Sequence, residues 1–61
     1  MTAAEIFQTT GLDRTDSQRM AAELIDAPAI VVTSFRAMSS IGAYSVDEMI
    51  ERLRAVRMMA K

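Results

Sequence analysis

The stretch PAIVVTSFRAMSSI, from Pro28 to Ile41, decides how this chain folds, because it can be read as a strand or as a helix. Ile30, Val31, Val32 and Thr33 are β-branched in succession, which suits a pleated surface and would allow a strand over residues 29 to 35. The spacing favours helix. Val31, Phe35 and Met38 recur at i, i+4 and i+7, with Ile30, Ala37 and Ile41 alongside, and no second stretch offers a strand to pair with. A lone strand would have to find its partner across a dimer axis. We therefore expect a helix over 28–40, opened by Pro28, which is welcome in a first helical turn, and capped by Asp26. Gly42 should stop it, since glycine takes the left-handed conformation without a Cβ penalty.

Working outward, three further helices announce themselves by their starts. Ser or Thr is followed three residues later by Glu or Gln at Thr2–Glu5, Thr15–Gln18 and Ser45–Glu48. In such a capping box the first side chain accepts from a backbone N–H of the opening turn, and the second reaches back to the cap's own N–H. These signals predict helices over 3–10, 16–25 and 46–60. Met1 and Tyr44 stand where they can staple onto Ile6 and Met49. In the last helix Val46, Met49, Ile50, Leu53, Val56 and Ala60 form one stripe, and Glu48 with Arg52 makes an i,i+4 pair. Its acids come early (Asp47, Glu48, Glu51) and its bases late (Arg52, Arg54, Arg57, Lys61), the order that complements the helix dipole. The expected core is Ile6, Phe7, Met20, Leu24, Val31, Phe35, Met38, Ile41, Met49, Ile50, Leu53 and Val56. The expected architecture is one all-α domain over 1–61, four short helices in an orthogonal or bundle-like arrangement, completed by oligomerisation.

Size and composition narrow the function. A chain of 61 residues buries only about 60% of its unfolded surface on folding and should expose roughly 3,900 Å². Cys and His are both absent, which removes disulfides, thiolate or imidazole metal sites and the commonest nucleophile–base pairs. We expect no catalytic residues, no metal and no cofactor. Asp13 and Asp16 could converge on a cation, but helix-start preferences explain them better. The longest apolar run contains Arg36 and is shorter than the ~20 residues of a spanning helix. With no basic and apolar leader at the N-terminus, the cytoplasm is the expected location.

Segments two and three also have the spacing of a helix-turn-helix over residues 20–36, with Ala22, Ile25, Ala27, Val32 and Phe35 at its packing positions. Asp26 stands where that motif carries glycine. Its reading face would be Pro28, Ala29, Ile30, Val31, Thr33 and Ser34, residues poorly suited to base edges, with Arg36 the one base nearby. DNA binding is therefore the second reading, and nucleic acid is disfavoured as a partner.

The first reading is a small non-catalytic module that acts by stoichiometric association with another protein, as an inhibitor or regulator, and that also forms a homodimer. Six methionines suit an adaptable contact surface. Met58 and Met59 are adjacent, so both cannot face one core. The expected protein-binding residues are Ile30, Val31, Val32, Arg54, Arg57, Met58 and Met59. Residues 1 to 30 hold five acids and two bases, net −3, and residues 31 to 61 three acids and five bases, net +2. That asymmetry would favour antiparallel or head-to-tail association.

Overall fold

A computed structural model describes residues 1–60. Four helices account for most of them: α1 (Ala3–Thr10), α2 (Arg14–Leu24), α3 (Ala29–Ile41) and α4 (Val46–Met59), with no strand among the described residues. The helical pattern of Val31, Phe35 and Met38 therefore prevails over the β-branched run. All three side chains are buried in the core, where they repay the modest helix propensity of Ile30 to Thr33.

One of the three capping signals acts fully as read, and a second in part. The Ser45 hydroxyl accepts from the Glu48 N–H at 3.2 Å, and the Glu48 carboxylate accepts from the Ser45 N–H at 3.2 Å, a complete capping box. Thr2 accepts from the Glu5 N–H at 3.3 Å, although Glu5 accepts from the Thr2 hydroxyl rather than from its backbone. Thr15 is not a cap. Two residues earlier, Asp13 offers a charged acceptor to the Asp16 N–H at 2.8 Å, so α2 begins at Arg14 and Thr15 faces solvent. Nor does Asp26 cap α3. That helix starts after Pro28, whose carbonyl receives the Val31 and Val32 N–H groups. Asp26 lies instead in the turn after α2, at a φ of 51°. Gly11 and Gly42 stop α1 and α3 in the left-handed region, each returning its N–H to a carbonyl of the last turn.

The principal packings are α1 on α2, α2 on α4 and α3 on α4, around a core of Ile6, Met20, Leu24, Val31, Phe35, Met38, Met49, Ile50 and Leu53. Met1, Leu12, Tyr44, Val46 and Val56 are partly buried against its edges. Ser17, also buried, donates its hydroxyl to the Leu12 carbonyl at 3.2 Å. Two residues expected inside are outside: Phe7 is 55% and Ile41 65% exposed. Helix geometry explains both. At about 100° per residue, Phe7 points a quarter-turn away from buried Ile6, and Ile41 lies about 80° off the Val31–Phe35–Met38 stripe, which continues through Gly42 instead. Val56 is half-buried.

The exposed area of 4121 Å² and radius of gyration of 10.4 Å are close to the roughly 3,900 Å² and roughly 10.5 Å expected of a compact monomer of this length. No helix among the described residues is long and apolar enough to cross a membrane.

Candidate functional site

Helix α3 is apolar on two flanks and only one of them is covered. Val31, Phe35 and Met38 face the core, while Ile30, Ser34, Ala37 and Ile41 repeat the same spacing about 80–100° round the helix. Ile30, Ala37 and Ile41 are exposed and Ser34 is half-buried. Ser34 does not make this flank strongly polar, because its hydroxyl donates to the Ile30 carbonyl of its own helix at 2.8 Å. Arg36 is the one charged residue in α3. It lies on the other side, at the cleft between α1 and α3 that Met1, Glu5, Ser39 and Ser40 also line. The uncovered flank is thus free of charge along about 20 Å of helix.

The residues expected to bind a partner fall into three groups. Val31 is fully buried in the core, and Val32 is half-buried on the flank opposite Ile30. Neither offers a free contact, because the helix carries the Ile-Val-Val triplet through about 200° and only its leading member ends outside. Ile30, Met58 and Met59 are between 53% and 78% exposed. Arg54 and Arg57 are engaged within the chain. Arg54 donates from Nε and Nη2 to a Glu23 carboxylate oxygen at 3.0 and 2.6 Å, and Arg57 Nη2 donates to the Glu23 and Ile25 carbonyls at 3.1 and 3.3 Å.

Two ion pairs join the halves of the sequence and leave its net charge asymmetry unchanged. Arg54 of α4 pairs with Glu23 of α2, and Arg19 of α2 pairs with Asp47 of α4, so both bridges cross one helix interface. Hydrogen bonding to Asp47, and then its negative charge, raises the Arg19 pKa above its ordinary value, and Glu23 does the same for Arg54. The expected Glu48–Arg52 pair does not form. Glu48 is committed to the capping box, and the Arg52 guanidinium lies 4.9 Å from the centre of the Tyr44 ring.

The helix-turn-helix packing positions are not brought together in the manner of that motif. Ala22 and Ile25 are exposed, Ala27 and Val32 half-buried and Phe35 buried. The main packing of α2 is against α1 and α4. No group of three His, Cys, Asp or Glu among the described residues could hold a metal ion.

Two apolar surface features escaped the sequence reading. One is the groove of about 340 Å³ between α1 and α2, walled by Ala3, Ala4, Phe7 and Gln18. Nothing short of knowing which side of α1 meets α2 would have revealed it. The other is the full extent of the α3 flank. Its signal, the spacing 30, 34, 37, 41, was present beside the core stripe. No protein family, curated protein or solved structure matches the chain.

Proposed function

We propose that this chain is a small non-catalytic module that works by stoichiometric association with a protein, as a regulator or inhibitor, and that its contact surface is the outer flank of α3 at Ile30, Ala37 and Ile41. One observation carries the reading: α3 has apolar residues at helical spacing on a flank that no other helix covers. A helix apolar on more than one face is ordinarily buried on those faces. Met58 and Met59 extend the exposed apolar surface at the end of α4 and supply flexible, polarizable side chains of the kind that adapt to a partner. Base readout is poorly served, since the same flank carries no Arg, Lys, Asn or Gln.

Ala37→Glu places a charge in the middle of the flank without touching the core. Immobilised wild-type chain should retain a protein in fixed ratio from an extract of the cells that make it, and the variant, equally helical, should lose it. An identical retained set for both chains would show that α3 is not the contact.

A further inference from the structure

We propose that the occupant of this flank is α3 of a second copy, lying antiparallel about a two-fold axis. The proposal rests on the contact surface just described and adds its partner and geometry. The spacing 30, 34, 37, 41 alternates four and three residues, the pattern of a helix-pairing seam. The seam also reads alike from both ends. Large Ile30 and Ile41 terminate it, and small Ser34 and Ala37 occupy its middle. When two copies run antiparallel about a point between residues 35 and 36, Ile30 meets the partner's Ile41 and Ser34 meets the partner's Ala37. The small central pair lets the helix axes approach, and the isoleucines close over both ends. An isologous contact requires such self-complementarity, because each surface must serve as its own partner.

Two further observations agree. The flank has no charge, so two copies bring no like charges together. Its central hydroxyl is bonded to its own helix and can leave water without losing its partner. A contact one helix long is small beside the ~800 Å² per partner of standard interfaces. The dimer should therefore dissociate on dilution.

The absence of cysteine permits a direct test. Sedimentation of the wild-type chain over roughly 1 μM to 1 mM should pass from monomer to dimer, and Ala37→Glu should raise the dissociation constant at least about tenfold with helicity unchanged. A mixture of Ser34→Cys and Ala37→Cys chains should oxidise chiefly to the mixed disulfide, whose Cβ atoms must approach to about 4 Å. Ile30→Cys alone should cross-link poorly, because the two-fold axis holds the paired positions about 16 Å apart along the helix. Dominant Ile30→Cys self-cross-linking would mean a parallel pair and would overturn the geometry. A wild-type monomer at every concentration would overturn self-pairing itself. If that monomer still captured a protein that Ala37→Glu lost, the contact surface would stand with a different occupant. With no such capture, both readings would fall.

Discussion

Replacing Arg57 by Ala tests how α2 ends. Both glycines in the chain are spent on α1 and α3, so the C-terminus of α2 has no glycine stop. It passes through Ile25 in extended conformation and Asp26 at positive φ. The last carbonyls of a helix have no partner within it. Arg57 reaches across from α4 and donates to one of those at this end, the Glu23 carbonyl at 3.1 Å, and to the carbonyl of Ile25, just past the helix, at 3.3 Å. A hydrogen bond with a charged partner contributes about 1.5–3 kcal/mol. One of these is long, and water can replace the donor at a half-buried site, so we take the lower figure for the pair together. A loss of about 1.5 kcal/mol should lower the melting temperature by roughly 6–12 °C in a domain of this size. Urea unfolding followed by circular dichroism should show the midpoint fall with an unchanged slope, and Arg57→Lys, lacking the planar fork, should recover only part of it. Arg54→Ala, which removes an exposed bridge to Glu23, should cost less, and its effect should fade at high salt. Equal midpoints for wild type and Arg57→Ala would refute the reasoning, because water alone would then satisfy those carbonyls.

Ser45→Ala removes the accepting half of the α4 capping box and should cost about 1 kcal/mol by urea unfolding, most visibly as faster amide exchange in the first turn of α4. Gly42→Ala should cost about 1–2 kcal/mol through the backbone alone, since φ is 71° and nothing lies within 4 Å of the added Cβ. Gly42→Asn should cost less, a ranking that thermal melts can check. Phe35→Ala empties the centre of a core of nine side chains and should cost about 3–5 kcal/mol, enough to unfold much of the population at room temperature. Retention of full helicity there would mean that the neighbouring side chains collapse into the space.

The parts of the fold most legible in the sequence share a cause: each was decided by residues within a few positions of one another. Ser45 with Glu48, Gly42 after Ile41, and the Val31–Phe35–Met38 stripe are local patterns, and each does what its spacing implies. All nine buried apolar residues were also among those expected inside. What failed depended on neighbours far along the chain or on competition at short range. Thr15 lost the cap to Asp13 because both were chemically eligible and the charged acceptor lay at the better position. Phe7 could be sent outward only by knowing that α2 packs on the Ile6 side of a two-turn helix. Arg54 and Arg57 read as free bases because their partners, Glu23 and the end of α2, lie more than thirty residues away. Val31 and Val32 read as surplus apolar surface because adjacent residues cannot share one face. That reasoning holds for the helix, but it does not say which member is outside.

Total exposed area gives no sign of an uncovered surface, because small folded chains expose much apolar area in any case. The distribution of charge is more telling. Helix α4 carries Asp47, Glu48, Glu51, Arg52, Arg54 and Arg57 in fourteen residues, whereas α3 carries Arg36 alone in thirteen. Both helices lie at the surface and both give one stripe to the same core, so burial in the monomer cannot account for the difference. Helix propensity does not account for it either, since Lys, Glu and Arg on the outer flank would support α3 better than Ile30, Ser34 or Ile41 do. A sequence that forgoes both solubility and propensity along one flank is accounted for if that flank is covered in the working protein. Its symmetric Ile-Ser-Ala-Ile spacing favours α3 of a second copy as the cover.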